Sequence, residues 1–329
     1  MSLQLPFFDQ LQKASPAEAW QGILDHAWQI CSSPFSSNSP STEVARRDQA
    51  LGDLDLFLAT SGWDLWNEYE SAVPLTSQKL INWWEKHRDG KAVLILDAFS
   101  LRETPWLLAE AESRGFQVHN ATVTAAELPA DTTPFAKALG FTQRSALANN
   151  GTGNAHAFPG ARTECTDIAW QDCANLIGSE PDWVFWHQWP DHKLHEHDTP
   201  GRGLPSLAKE AQTHLTGDDF WHFVERLASG RRLVITADHG YAASGNFPDS
   251  SQEQTEYLRK TFKSGRWNDE AEKAGRWVPP IDLLLETRHG RHLFVNGRRK
   301  WRNAGGYPTL THGGLSVLEV AVPWIELYR

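Results

Sequence analysis

Residues 231–241 read RRLVITADHGY, and no other run says as much about how this chain folds. Leu233 to Thr236 is a short apolar run, the pattern of a strand buried on both faces. It leads straight into Asp238-His239-Gly240, which sets a carboxylate beside an imidazole at the strand's C-terminal end. Open α/β sheets build their sites along that edge, and a glycine lets the backbone turn away sharply. Alone, Asp-His-Gly is also what a capping Asp and a surface His look like.

The same style recurs through the chain. AVLIL (92–96) is an apolar run ending at Asp97, and PWLLAEAESRG (105–115) reads as the helix that follows, closed by Gly115. FQVHNATV (116–123), DWVFWHQW (182–189) and VAVPWIEL (320–327) are further strands. Strands alternating with helical stretches imply an α/β fold, with a doubly wound, largely parallel sheet and helices on both faces. Residues 1–90 differ and read as a helical region. SPAEAWQGILDHAWQI opens with a Ser15-Pro16 cap pair and keeps helical spacing. TSQKLINWWEKHRDG behaves likewise, and CSSPFSSNSPST between them is a Ser/Pro-rich loop. The expected division is a helical region over 1–90 and a catalytic domain over 91–329. The polar segment within 242–280 is read as a lid or a surface insertion.

Composition narrows the class. A chain of 329 residues suits one large α/β domain with a smaller appendage. Sixteen tryptophans are many for this length; most are expected to fill the core, with a few free to stack on bases or sugars. Three cysteines with no CxxC pair suggest neither a disulfide framework nor a thiolate zinc site, as expected for the cytoplasm. The N-terminus shows no signal-peptide pattern, and no apolar run is long enough to span a membrane. The net charge is −10, with 6 Lys+Arg against 12 Asp+Glu in residues 1–90. So acidic a chain is a poor general binder of long nucleic acid. The one basic run, Arg288 to Arg302, reads as a solvated hairpin around Asn296-Gly297, with a substrate-binding lip as the alternative.

Five elements carry the chemistry: Asp97; Thr132 and Thr133 in LPADTTPFAKALG; Asp191 and His195 in WPDHKLHEHD; Asp238 with His239; and His312 in YPTLTHGGLSVLEVAVPW. Carboxylates mixed with imidazoles suit Zn²⁺ or Mn²⁺ better than Ca²⁺. Asp191 and His195 are four apart, so one helical turn lets both face one ion. His312-Gly313-Gly314 offers an imidazole on a bare backbone able to approach a ligand closely. Two ions roughly 3.5–4 Å apart clamp the attacking and leaving oxygens of a phosphoryl displacement, and a Thr hydroxyl between them becomes a nucleophile. His187, His192, His197 and Asp198 are competing ligands for Asp191 and His195, expected to be solvated or supporting groups. Ser100 is expected to cap the helix that follows it.

The order Asp, Thr, Asp-xxx-His, Asp-His, His resembles the alkaline phosphatase superfamily, and the local sequences look like its PglZ domain. The segments that carry the resemblance are VLILDAFSLRE, LPADTTPFAK, WHQWPDHKLH, TADHG and THGGLSVLEVAVPW, within about residues 91–329. It implies an alkaline phosphatase-like fold with one metal held by Asp191, His195 and His312, and a second held by Asp97, Asp238 and His239. Thr133 is preferred over Thr132 as nucleophile, because Thr-Pro-Phe-Ala-Lys fits the family pattern in register. Two departures stand out: Ala98 replaces the family's usual Gly, and Arg102 sits further on than its usual Arg.

The function expected from the resemblance is a metal-dependent phosphodiesterase acting on nucleotides or short oligonucleotides, with two Zn²⁺ and Mn²⁺ as the alternative. A sulfatase is disfavoured, since no Cys or Ser followed by x-Pro-x-Arg is present. The rival expectation is a non-catalytic nucleotide- or partner-binding component of a bacterial phage-defence or signalling system, docking its partner through residues 1–90.

Overall fold

A computed structural model describes residues 5–36, 38–88, 90–198, 202–302 and 306–329. Residues 1–4, part of the segment read as lacking a signal peptide, lie outside it. Among the described residues the strands form two sheets. The chain runs through β1 (Lys91–Asp97), β2 (Gln117–Ala125), β3 (Arg162–Thr166), β4 (Asp182–Pro190) and β5 (Arg232–Thr236) of a large sheet. It then builds a small sheet from β6 (Trp267–Asn268), β7 (Asp282–Thr287) and β8 (Gly290–Val295), and returns to the large sheet as β9 (Ala321–Tyr328). The large sheet has the order β2-β9-β5-β1-β4-β3. β1 lies parallel to β4 and β5, and β3 parallel to β4, while β9 runs against both β5 and β2. The expected α/β fold, with a largely parallel, doubly wound sheet, is the one observed.

Every residue of β1 is buried, as a central strand covered on both faces requires. Ala92, Leu94 and Leu96 point into one core, and Val93 and Ile95 into another, as the two-residue period of a strand dictates. The helices that precede the sheet include α1 (Leu5–Lys13), α2 (Pro16–Ser32), α3 (Pro40–Ala50), α4 (Gly52–Thr60) and α5 (Thr76–Lys86). α2 starts where expected, with Ser15 and Glu18 exchanging capping hydrogen bonds. Its buried Trp20, Ile23, Leu24 and Ala27 recur at helical spacing and join the same core as Leu94 and Leu96. Each such large side chain contributes roughly 1.5–3 kcal/mol on burial. That face is also covered by α6 (Thr104–Ser113), while α7 (Thr132–Ala138) and α5 cover the other through Phe135 and Trp84. The helices α8 (Asp191–His197), α9 (Gly203–Leu215) and α10 (Asp218–Ala228) lead from β4 to β5, and α11 (Gln252–Phe262) packs with the small sheet in a third core.

Most of the tryptophans do fill the interior, among them Trp20, Trp66, Trp84, Trp183 and Trp221. The basic run is a different matter. Its hairpin turns at Arg288-His289, between β7 and β8, and not at Asn296-Gly297. Asn296 is fully buried and its amide donates to the carbonyls of Pro280 and Ala59, so the turn signal there serves an interior crossing. Arg298 is likewise directed inward, to Asp48 and Asp55 of the N-terminal helices. No described helix is long and apolar enough to cross a membrane.

Candidate metal centre

Asp97, Asp191 and Asp238 meet along the C-terminal edge of the large sheet because β1, β4 and β5 are adjacent and parallel. The β1–β4 register shifts between Leu96 and Asp97, a local bend at the residue that enters the site. Ala98 follows with φ +62°, in the left-handed region that glycine prefers, at a cost of about 1–2 kcal/mol. Its N–H donates to Asp238 Oδ1 at 2.9 Å, which ties the ends of β1 and β5 together. β9 runs the opposite way, so the chain just before it arrives at the same edge and delivers His312.

The side chains form two overlapping groups whose ligand atoms all lie within 4.8 Å of one another: Asp191, His195 and His312; and Asp97, Asp191 and His239. His195 Nε2 is 3.6 Å and His312 Nε2 is 3.7 Å from Asp191 Oδ1. His239 Nε2 is 3.6 Å from Asp97 Oδ1 and 3.4 Å from Asp238 Oδ2. The rings of His239 and His312 stack at 4.3 Å. Asp97, Asp238 and His239 are fully buried, whereas the His195 side chain is 58 % exposed and stands at the mouth. His239 Nδ1 lies 2.9 Å from the Gly240 carbonyl, which accepts its hydrogen bond and turns Nε2 toward the carboxylates.

The donor set fits a divalent cation. Asp191 Oδ1, Asp238 Oδ2 and His239 Nε2 are buried and have no hydrogen-bond partner among the described residues, an arrangement that costs free energy unless a ligand engages them. Burial, with the Asp238 and Asp191 carboxylates beside it, pushes the Asp97 carboxyl well up, against the pull of Arg144 and His239. Burial likewise raises Asp238 to about 7. Carboxylates so confined are relieved by a bound cation with oxygen and nitrogen ligands.

Of the two threonines, Thr132 is the one at the cluster. Its hydroxyl donates to Asp97 Oδ1 at 3.3 Å. The side chain of Thr133, one residue along α7, is exposed. The competing ligands go elsewhere: His187 bonds the Ile168 carbonyl and stacks on Trp170, His192 bonds the Gln188 carbonyl, and His197 pairs with Glu210. Ser100 caps the short 3₁₀ turn that leads into α6, and Arg102 is buried against Asp48 and the Tyr241 carbonyl. A cavity of about 550 Å³ uses α8 as a wall but takes His192 and Lys193 from it, not Asp191 or His195.

Three residues at the site were not foreseen. Arg144 pairs with Asp97, and its side chain is 22 % exposed, so it reaches in from the rim. Asp131, the residue before α7, has its carboxylate 3.9 Å from His312 Nδ1. Trp267, from β6, donates its indole N–H to Asp131 at 3.1 Å. The bare backbone at Gly313-Gly314, expected to approach a ligand, instead admits Trp267 and Arg266: added Cβ atoms would fall 2.5 Å and 2.6 Å from those side chains.

The chain thus carries two overlapping Asp/His groups of metal-ligand type, with a threonine hydroxyl beside them, at the C-terminal edge of the parallel strands of a doubly wound sheet. No protein-family model matches the chain, and no curated protein matches it. Among solved structures it is similar to murine ectonucleotide pyrophosphatase/phosphodiesterase 5, an inactive variant in complex with AMP. The TM-score is 0.43 at 12 % identity, over 73 % of this chain and 88 % of that one.

Proposed function

We propose that this chain is a metal-dependent phosphoesterase of the alkaline phosphatase-like superfamily, close to its PglZ members, with phosphodiesters as substrates and Thr132 as nucleophile. The observation that carries the reading is the Thr132 hydroxyl, 3.3 Å from Asp97, beside two Asp/His groups. Thr132 takes the place that the family register gave to Thr133. Two Zn²⁺, or Mn²⁺ in their stead, held by Asp191, His195 and His312 and by Asp97, Asp238 and His239, would supply positive charge against the phosphate oxygens and acidify the hydroxyl.

The chain's own residues then have distinct tasks. Asp97 Oδ1 orients the hydroxyl hydrogen of Thr132. The Thr132 Oγ1–phosphorus bond forms as the bond from phosphorus to the leaving oxygen breaks, the hydroxyl proton ending on the departing alcohol. Water then attacks phosphorus, the Oγ1–phosphorus bond breaks, and Thr132 regains a proton from that water as the phosphate monoester leaves. Arg144, paired with Asp97 on one side, offers its remaining N–H donors to phosphate oxygens at the rim. Residues 242–280 wall the site in this reading, since their Trp267 reaches Asp131. The net charge of −10 favours a nucleotide or short oligonucleotide over long nucleic acid. The three free, buried cysteines accord with a cytoplasmic setting.

The test is hydrolysis of bis-p-nitrophenyl phosphate beside p-nitrophenyl phosphate by chelated protein with Zn²⁺ or Mn²⁺ returned. Metal-dependent turnover of the diester is expected, lost by about 1,000-fold or more in Thr132→Ala and retained in Thr133→Ala. The reverse pattern returns the nucleophile to Thr133. If metal-loaded protein turns over neither ester, the partner-binding reading takes over and residues 1–90 become the place to seek the partner.

A further inference from the structure

Asp131 stands at the N-cap position of α7 with extended backbone, φ −150° and ψ 157°. An Asp there ordinarily accepts hydrogen bonds from the helix's own first N–H groups. This one makes no such capping bond. Its Oδ2 accepts instead from Trp267 Nε1 at 3.1 Å and lies 3.9 Å from His312 Nδ1. The Ala130 carbonyl oxygen is 3.4 Å from the same Nδ1. The His312 Nδ1–H is therefore given to the Ala130 carbonyl, with the Asp131 carboxylate 3.9 Å away as a second, electrostatic partner, which favours the Nδ1–H tautomer and turns Nε2 toward Asp191, 3.7 Å away.

Trp267 is itself held against the His312 loop. Gly313 has φ +95°, and its missing Cβ leaves room for the indole, whose Cδ1 lies 2.5 Å from where that atom would be. The preceding Arg266 packs on Gly314 and pairs with the buried Glu319, which also accepts from the Gly314 N–H. The Arg266-Trp267 pair thus grips both the loop that carries His312 and the carboxylate that faces its ring.

We propose that Asp131 is the positioning residue for His312 and that Trp267 fixes Asp131, so that the small sheet sets how tightly the Asp191–His195–His312 group holds its divalent ion. This rests on the metal-binding part of the function proposed above, and its test reads binding instead of turnover. The Zn²⁺ dissociation constant is measured by competition with a chromogenic chelator for the natural chain, Asp131→Ala, Trp267→Phe and Thr132→Ala. The ring ¹⁵N shifts of His312 are recorded in the chelated proteins. Asp131→Ala is expected to weaken Zn²⁺ binding about 10–100-fold, the usual consequence of removing a group that orients a metal-binding histidine. His312 in that variant is expected to pass from a single Nδ1–H tautomer to a mixture. Trp267→Phe keeps a ring on Gly313 but loses the N–H, and weakens binding by less. Thr132→Ala leaves His312 in its tautomer. A thermal midpoint lowered in Asp131→Ala and Trp267→Phe, with affinity and tautomer unchanged, means a merely structural role and overturns the proposal. Absence of Zn²⁺ binding by the natural chain removes the metal reading and this proposal with it, whereas normal affinity in Asp131→Ala removes this proposal alone.

Discussion

Gly240→Ala adds one methyl group where the Asp-His turn meets the approach to β9. An ideal Cβ at 240 falls 2.2 Å from the Leu318 carbonyl oxygen, 3.2 Å from its carbon and 3.5 Å from the Ala321 oxygen. Carbon and oxygen meet comfortably only at about 3.3–3.6 Å, so one backbone must retreat by about 1 Å. Backbone has no rotamer to turn aside. The retreat breaks the Gly240 N–H bond to the Glu319 carbonyl, now 2.9 Å long. A lost buried bond costs about 1–3 kcal/mol, and overpacking of this kind about 1–3 kcal/mol more. The expected destabilisation is therefore about 2–6 kcal/mol, read as a lowered urea midpoint at unchanged slope in chelated protein. Gly52→Ala is the control: its Cβ meets nothing within 4 Å at the start of α4, and it is expected to stabilise slightly, by about 0.4–1 kcal/mol. Gly240→Ala within 0.5 kcal/mol of the natural chain would refute the reasoning, since no soft side chain is there to absorb the clash.

Two more outcomes are expected. Burial would raise the Glu43 carboxyl, but hydrogen bonds from Arg47, Arg46 and Ser36 bring it down to about 2 from an ordinary 4.5. A depressed carboxyl stabilises above its unfolded value and loses that contribution as pH falls, so Glu43→Gln should flatten the acid limb of stability between pH 4.5 and 2, by at most ~3 kcal/mol. Asp238 has the opposite sign: its carboxyl rises from 3.8 to about 7, chiefly through burial, so stability of chelated protein falls as pH climbs through that window. At pH 8, Asp238→Asn should therefore melt higher than the natural chain when both are chelated, and gain less on Zn²⁺ addition; a lower chelated midpoint would contradict this.

The central strands were legible because both their faces are buried: β1, β4 and β5 are apolar runs ending at or near a ligand. β3 was not, since RTECT is an edge strand of alternating burial with no apolar run. Asn296-Gly297 misled because its turn chemistry is real but local: Gly297 does take φ +73°, yet the backbone passes through the interior against Ala59 there. At the site, the Asp and His residues announced themselves by chemistry and position after strands. Thr132 and Thr133 could not be separated, since their difference is which one faces the sheet at the first turn of α7. Arg144, Asp131 and Trp267 acquire meaning only through partners far off in sequence: Arg144 is 47 residues from Asp97, and Trp267 is 136 from Asp131.

The place of β9 in the large sheet bears on how the chain comes off the ribosome. β9 is made last, yet it lies between β5 and β2, and β2 pairs with no other strand of that sheet. Throughout synthesis the nascent sheet therefore keeps a slot one strand wide, with bare backbone donors and acceptors on both banks and apolar residues such as Val123 and Ile235 beside them. Any chain that stops short of β9 retains this slot and also lacks a completed His312 loop. Chains that include β9 close it in one stroke, pairing two strands and bringing the His312 imidazole to the carboxylates together. A product truncated before β9 thus exposes bare strand edges and apolar side chains, the state most readily recognised by chaperones and proteases.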